Sequence, residues 1–241
     1  MEMWGITHRG VVREQNQDAF LLRQLPDGGI AAVVCDGMGG AQAGNIASSM
    51  AAEIFMDELL QVERSDPSEN QRWMEHAAAL ANDQVFDRSL KDSDCTGMGT
   101  TLVAAVLDGE EASILNEGDS RAYHISDQGI AQVTRDHSLV EDLVERGELT
   151  PEQARNHPHK NLITRAIGAE PLLRADFFHL PIQPGECLLL CSDGLSNLVT
   201  DQEILYEVVH GGEKDSCCQR LLDIALHRGA PDNVTVVLLQ C

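Results

Sequence analysis

Five aspartates lie at the ends of apolar segments, next to glycine or to other polar residues: Asp18, Asp36, Asp119, Asp193 and Asp232. Asp36 follows the apolar run at residues 30–35 and precedes a glycine, and Asp193 comes just after the run at residues 187–191 and also precedes a glycine. Glycine lets the backbone turn sharply, so a carboxylate at such a strand end points readily into a cleft. One Asp-Gly pair alone is typical of a turn, but five such carboxylates together favour a shared site.

The chemistry that fits these residues is binding of divalent cations. Carboxylates brought together raise one another's pKa, because neighbouring negative charges disfavour ionisation. Ligation by carboxylate and backbone oxygen alone suits Mg²⁺ or Mn²⁺, which offset those charges. Zinc spacing fails, since Cys187 and Cys191 are four residues apart and no C-x-x-C pair occurs. A dinucleotide-binding G-x-G-x-x-G pattern starts at Gly37 but fails at Gln42.

The composition excludes other classes of protein. The 241 residues include 39 acidic and 17 basic ones, which gives a formal net charge of −22. This balance excludes a broad basic surface for nucleic acid and argues against docking on an anionic membrane. We find no apolar run of ~18 residues and no basic region followed by an apolar run at the start, so we expect neither a membrane span nor a signal peptide. The sequence therefore predicts a soluble, cytoplasmic protein whose seven cysteines are reduced.

The elements that must position these carboxylates follow from the apolar pattern. Short apolar segments bounded by Gly, Asp or Asn predict strands at residues 30–35, 101–107, 112–115, 122–125, 187–191 and 234–239. Helical spacing of apolar residues predicts helices at residues 43–60, 68–90, 201–209 and 215–228. Two consecutive helices, followed by strands with little helix between them, favour antiparallel sheets with helices packed outside.

We expect one domain over residues 1–241. The polar stretch at about residues 134–170 is predicted to be an irregular insertion, which in a compact domain is usually a functional lid or flap. A plain surface excursion is the alternative for this stretch.

Eight motifs, taken in order, resemble those of a known family. They read GVVREQNQD, VCDGMGG, GMGTT, NEGDSRAY, TRDHSL, RAIG, CSDGL and PDNVT, and they begin at residues 10, 34, 97, 116, 134, 165, 191 and 231. Over nearly the whole chain they resemble the protein phosphatase 2C-like, metal-dependent serine/threonine phosphatases of the bacterial type. The resemblance implies an α+β fold, a four-layer αββα sandwich with two central antiparallel β-sheets flanked by helix pairs.

The resemblance also implies two metal ions, Mg²⁺ or Mn²⁺, at the centre of the site. Asp36 would bridge them, and Asp193 and Asp232 would complete the first ion. The backbone carbonyl of Gly37 would bind the second ion, and Asp18 would hold its waters.

Further roles follow from the same resemblance. Arg13 would grip the substrate phosphate, a bidentate task that suits a guanidinium group. Asp119 together with Asp193 matches a third ion site of bacterial members. The insertion at about residues 134–170 would include the flap beside the cleft.

Several positions depart from the family pattern. Some members carry His where this chain has Met38, and that His has been considered a general acid. Met38 cannot donate a proton, so a metal-bound water or another group must do so here. Family members often carry Asp at the position of His8, and many bacterial members carry His and Glu where this chain has Ala41 and Asn45. None of these departures removes a predicted ligand or Arg13.

The function implied is hydrolysis of phosphoserine and phosphothreonine on proteins by a water that the two metal ions activate. Such an enzyme would reverse signalling by a serine/threonine kinase, so phosphorylated proteins, and a cognate kinase with its targets, are the expected partners. We expect a monomer, with no nucleic acid or membrane partner. The alternative is a non-catalytic module of the same fold that binds phosphoproteins.

Overall fold

The computed structural model describes residues 1–40, 43–62 and 67–241. The helices are α1 (Ala43–Gln61), α2 (Asn70–Lys91), α3 (Leu139–Glu145), α4 (Pro151–Arg155), α5 (Asp193–Ser196), α6 (Asp201–Val209) and α7 (Cys217–His227). The strands are β1 (Glu2–His8), β2 (Asp18–Gln24), β3 (Ile30–Met38), β4 (Gly99–Thr100), β5 (Leu102–Asp108), β6 (Glu111–Glu117), β7 (Arg121–Ser126), β8 (Gly129–Gln132), β9 (Asp176–Pro181), β10 (Cys187–Cys191) and β11 (Val234–Gln240).

The strands form two antiparallel sheets. The first has the order β1-β11-β10-β7-β8, and the second has the order β2-β3-β5-β6-β9, with the short β4 added beside the end of β3. Both sheets therefore combine strands that are distant in the sequence, such as β1 with β11. The second sheet carries Asp18 opposite Asp36 on neighbouring strands.

Three apolar cores separate four layers. One core lies between α1, α2 and the second sheet, another lies between α6, α7 and the first sheet, and the third lies between the two sheets. The predicted α+β fold, an αββα sandwich with flanking helix pairs, is confirmed. Among the described residues, no helix is both long enough and apolar enough to cross a membrane.

The continuous apolar runs in the sequence reflect strands that are buried on both faces. Along β3, Ala31, Val33 and Cys35 face the helical layer, whereas Ala32 and Val34 face the other sheet. Successive side chains of a strand point to opposite faces, so a strand between two cores needs apolar residues at every position. Strand β10 alternates in the same way between the other helical layer and the shared core.

The structure corrects several boundaries. The sequence pattern missed β1, β2, β8 and β9, which are the edge strands of the two sheets and consist almost entirely of half-buried and exposed residues. Helix α2 begins at Asn70 rather than at residue 68, and α7 begins at Cys217 because residues 214–216 form a separate 3₁₀ turn. All seven cysteines are free thiols.

The insertion at residues 134–170 is more ordered than the sequence indicated. It contains α3 and α4, each capped by a side chain: Ser138 accepts from the Glu141 amide, and Thr150 accepts from the Gln153 amide. An isolated bridge between Ser138 and Ile163 closes the segment on itself. The segment is therefore a small folded unit rather than an irregular loop.

The backbone at Gly194 lies very close to the backbone at Asn233. A β-carbon added to Gly194 would collide with the carbonyl oxygen of Asn233, whereas one added to Gly40 would meet no atom within 4 Å. We predict that Gly194→Ala lowers the free energy of unfolding by about 1–3 kcal/mol or more, since a tightly packed site must move to admit the methyl group. Gly40→Ala, the matched control, should stay within about 0.5 kcal/mol of wild type. Urea unfolding measures both, and equal stabilities would contradict the prediction.

Candidate active site

A cleft of about 280 Å³ opens where strands of both sheets end. Six of the residues predicted from the sequence line it: Arg13, Asp36, Gly37, Asp119, Asp193 and Asp232. The seventh, Asp18, is only 6% exposed and lies behind the cleft, on the strand next to Asp36. The structure thus brings together residues that are up to 219 positions apart in the sequence.

Asp18 joins the two sheets. Its Oδ2 accepts hydrogen bonds from Ser192 Oγ at 2.7 Å and from Thr235 Oγ1 at 2.6 Å, two residues of the opposite sheet and its flanking turn. Its Oδ1 is buried and has no hydrogen-bond partner in the part of the chain that the structure describes. Asp18 is therefore fixed in position, with one oxygen available to a ligand.

Asp36 and Gly37 are held through their backbones. The Asp36 amide donates to Thr101 Oγ1 at 2.9 Å, and the Asp36 carbonyl accepts from the Thr101 amide at 2.9 Å. The Gly37 amide donates to the Gln17 carbonyl at 3.0 Å. A β-carbon at Gly37 would collide with the carbonyl oxygen of Gly44, so only glycine allows this approach of strand and helix.

Asp193 opens the short helix α5 and faces the cleft. Its Oδ2 accepts from Asn197 Nδ2 at 3.0 Å, while its Oδ1 is buried and finds no hydrogen-bond partner within residues 1–40, 43–62 and 67–241. The contact of Gly194 with Asn233 described above brings Asp193 beside Asp232.

Arg13 and Asp232 form an ion pair at the mouth of the cleft. Arg13 Nη2 donates to Asp232 Oδ2 at 2.8 Å, and the Arg13 side chain stays 55% exposed. Asp232 Oδ1 accepts from the Asn233 amide at 2.9 Å. Any cation that uses Asp232 Oδ2 must therefore share it with Arg13 or displace the guanidinium group.

Asp119 is placed by a turn that His137 holds. Gly118, just before it, has a φ of 116°, which glycine adopts easily. The Gly118 amide donates to His137 Nδ1 at 3.0 Å, and the Gly118 carbonyl accepts from the His137 amide at 2.9 Å. Asp176 lies 3.2 Å from His137 Nε2 and receives a hydrogen bond from Arg165 at 3.1 Å, which ties the turn to the end of the insertion.

The sequence analysis missed the residues that orient the carboxylates. Asn233 is one of them: its Oδ1 accepts from the Gln17 amide at 2.8 Å, and its Nδ2 donates to the carbonyls of Arg9 and Gln15 at 2.9 Å each. A bidentate ion pair between Arg121 and Asp136 is another. The motifs contained these residues, but their spacing gave no indication of what they contact.

Burial and mutual repulsion raise the pKa of the cleft carboxyls. Burial raises the pKa of Asp119 to about 8, with Asp193 adding to the rise, and raises that of Asp193 to about 6, with Asp232 adding to it. Burial also raises the pKa of Asp18 to about 7, against the opposing effect of its two hydrogen bonds. The pKa of Asp36 is raised well above its ordinary value by burial and by the charge of Asp18.

This arrangement fits hard divalent cations. The donors are carboxylates and backbone oxygen, and two buried oxygens, Asp18 Oδ1 and Asp193 Oδ1, have no hydrogen-bond partner among the described residues. Within residues 1–40, 43–62 and 67–241, no three His, Cys, Asp or Glu side chains are already close enough to form a complete metal site, although the carboxylates line one cleft. Mg²⁺ usually keeps several waters, so the carboxylates do not have to be packed against one another before a cation binds.

Comparison with known proteins agrees with this site. The model of the protein phosphatase 2C family matches residues 7–223. The serine/threonine phosphatase stp of Listeria monocytogenes serotype 4b is 36% identical over 235 residues, which cover 97% of this chain and 93% of the relative. The crystal structure of serine/threonine phosphatase Stp1 from Staphylococcus aureus is similar with a TM-score of 0.95 at 33% identity, covering 100% of this chain and 94% of that one.

A further solved structure contains metal. The catalytic domain of the serine/threonine phosphatase PstP, in complex with two manganese ions, is similar with a TM-score of 0.86 at 31% identity, and the match covers 98% of this chain and 96% of that one. This chain therefore belongs to the protein phosphatase 2C family. It is a protein phosphatase of the serine/threonine class, as the sequence predicted, and the catalytic interpretation is favoured over the non-catalytic module.

Of the four departures noted in the sequence, Met38 lines the cleft directly. His8 uses its Nδ1 to accept from the Gly10 amide at 3.0 Å, and Asn45 Oδ1 lies 3.4 Å from Ser49 Oγ at the exposed start of α1. Ala41 lies outside the described residues.

The raised pKa values predict how stability varies with pH when metal is removed. Asp18, Asp119 and Asp193 stay protonated to a higher pH in the folded chain than in the unfolded chain, where aspartate titrates near ~3.9. Their contribution to stability therefore falls as pH rises from about 4 through their folded pKa values. Burial lowers the pKa of His137, which gives an effect of opposite sign.

We expect the thermal unfolding midpoint, measured in chelator, to decrease as the pH rises from 5 to 8. Added Mn²⁺ should restore the midpoint at pH 8. Asp18→Asn should make this decrease in the midpoint smaller, because the variant removes one titrating group. It retains an acceptor for the hydroxyls of Ser192 and Thr235. Differential scanning calorimetry across this range measures the effect. A midpoint in chelator that rises steadily with pH would contradict the assignment.

Proposed function

We propose that this phosphatase hydrolyses phosphoserine and phosphothreonine esters on proteins at the cleft lined by Asp36, Asp193 and Asp232. The observation that carries the proposal is the convergence of these carboxylates, together with Gly37, on one cleft. The two manganese ions in the similar PstP structure support metal binding by a protein of this family.

The residues proposed to hold the two central cations are Asp36, shared by both, with Asp193 and Asp232 for one, and the Gly37 carbonyl for the other. When bound, such cations lower the pKa of a water between them and offset charge on the phosphoryl oxygens. The protein's part is to keep the carboxylates in place: the backbone bonds of Asp36 to Thr101 and the contact of Gly194 with Asn233 do this. Asp18, anchored behind the cleft, would accept hydrogen bonds from cation-bound waters through its free Oδ1.

Arg13 is proposed to bind the substrate phosphate. Its exposed guanidinium stands at the mouth of the cleft, where a dianionic phosphate would compete with Asp232 for it. Guanidinium groups bind phosphate through two parallel hydrogen bonds, which orient the phosphorus atom toward the attacking water. Met38 cannot donate a proton to the leaving alkoxide, so we propose that solvent in the open cleft supplies it.

A third cation is proposed between Asp119 and Asp193. The charge of Asp193 contributes to the raised pKa of Asp119, which supports their proximity. The substrates would be products of a serine/threonine kinase, because only phosphoryl transfer to a hydroxyl supplies such esters. The phosphatase would then reverse that kinase's signal.

The central prediction is metal-dependent phosphatase activity. We expect wild-type protein with Mn²⁺ to release phosphate from a phosphothreonine peptide, and chelator to abolish the release. Asp36→Asn should lower kcat/KM by a factor of about 100 or more, the loss expected when about 3 kcal/mol of transition-state stabilisation disappears. The matched control is Asp127→Asn, in the turn between β7 and β8, which should retain wild-type activity. Undiminished activity of Asp36→Asn would refute the mechanism.

The role of Arg13 gives a separate prediction. Arg13→Ala should raise KM for the phosphopeptide roughly tenfold or more, as expected when a charge-assisted hydrogen bond is lost, and should leave Mn²⁺ affinity within a few-fold of wild type. Steady-state kinetics and calorimetric Mn²⁺ titration separate the two quantities. Arg23→Ala, on the exposed end of β2, serves as the control for lost positive charge. Weakened Mn²⁺ binding with a normal KM would assign Arg13 to the metal site instead.

A further inference from the structure

A second pocket, which we call the side pocket, opens beside the catalytic cleft, and the proposed reaction does not use it. Its volume is about 340 Å³, which is at the small end of the ~300–1,000 Å³ typical of ligand pockets. Met38 and Ile163 line both the side pocket and the cleft. The side pocket is therefore within reach of residues close in sequence to a phosphorylated residue that occupies the cleft.

Glu117 is the unusual group in the side pocket. It is the last residue of β6, lines the pocket and is only 3% exposed. Its Oε2 is buried and has no hydrogen-bond partner among the described residues. A buried acceptor without a donor costs free energy. A ligand that donates a hydrogen bond to Glu117 Oε2 would remove this cost.

The other charged groups of the side pocket leave it slightly negative. Arg165 is committed to Asp176 and to the Arg174 carbonyl, each at 3.1 Å, and Asp142 accepts from Arg135 at 3.3 Å. Three charged side chains of the lining then remain without an ion pair in the described structure: Glu117, Glu170 and Arg174. Burial raises the pKa of Glu117 to about 7, so a positively charged donor would bind this residue better than a neutral or anionic ligand, because it stabilises the ionised carboxylate.

The apolar part of the lining fits a long side chain with a charged end. Leu172 is 74% exposed at the pocket, and Ile163 and Met38 connect it to the cleft. Lysine and arginine bury their methylene stems against such apolar surface while the charged end reaches a polar partner. The net charge of −22 also attracts basic segments from a distance.

We propose that the side pocket binds a lysine or arginine side chain of the phosphoprotein substrate, close in sequence to the phosphorylated residue, with Glu117 as the acceptor. The proposal rests on the proposed function for the position of the phosphate. It adds a substrate preference that the cleft alone does not give.

The test uses phosphothreonine peptides in which one lysine moves through three positions on either side of the phosphothreonine, each matched by peptides with Gln or Glu at that place. kcat/KM is measured with Mn²⁺, and binding of fluorescent versions is measured separately in chelator. At one position we expect wild type to favour Lys over Gln by roughly tenfold, as one charge-assisted hydrogen bond contributes. Glu117→Gln should bring this ratio close to one.

The matched control is Glu111→Gln. Glu111 begins the same strand and pairs with His179 at 2.8 Å outside the side pocket, so the variant removes the same charge elsewhere and should keep the preference. Thermal unfolding confirms that both variants are folded. Equal loss of the preference in both variants would assign it to the long-range field and overturn the proposal, as would a preference for Glu peptides.

The outcomes distinguish this inference from the proposed function. Hydrolysis of every peptide without a lysine preference would overturn the side-pocket proposal and leave the phosphatase mechanism intact. Glu117-dependent binding of the lysine peptide in chelator, without hydrolysis in Mn²⁺, would support the side pocket and refute the proposed hydrolysis.

Discussion

Mutual repulsion among carboxylates held in a partly desolvated cleft is the constraint on which the rest of this structure depends. Asp36, Asp119 and Asp193 have raised pKa values because burial and neighbouring negative charges act in the same direction. Such a cluster opposes folding unless other interactions hold it together or cations neutralise it. The three apolar cores provide the interactions that hold the cluster together. The oxygen-only donor set is suited to binding the cations that neutralise it.

The two sheets are joined at the site by polar contacts rather than by apolar packing alone. Asp18 on one sheet accepts from Ser192 and Thr235 on the other side, and Asn233 holds the loop before β2. Glycines allow the backbones to approach where side chains would not fit, as at Gly194. The same contacts therefore hold the sandwich together and aim the carboxylates, so stability and catalytic geometry are coupled at this edge.

Much of the fold could be predicted from the sequence because its central strands are buried on both faces. The runs at residues 30–35 and 187–191 are apolar throughout, which is a strong signal. The sequence did not predict the edge strands β1 and β9 because none of their residues is fully buried, so they lack a continuous apolar run. The sequence also did not predict the ordered structure within the insertion. Its short helices α3 and α4 depend on caps and on one bridge rather than on apolar periodicity.

The sequence by itself determined the residue types, the order of the motifs, the family and the acidic character of the site, because each is a local property of the chain. Only the tertiary structure decided the contacts. Arg13 meets Asp232 across 219 positions, Asp18 lies behind the cleft rather than in it, and Glu117 has a buried oxygen that receives no hydrogen bond from the described residues. The physical reason is that burial and Coulomb energy depend on distance in space. Antiparallel sheets built from strands far apart in the sequence fix those distances.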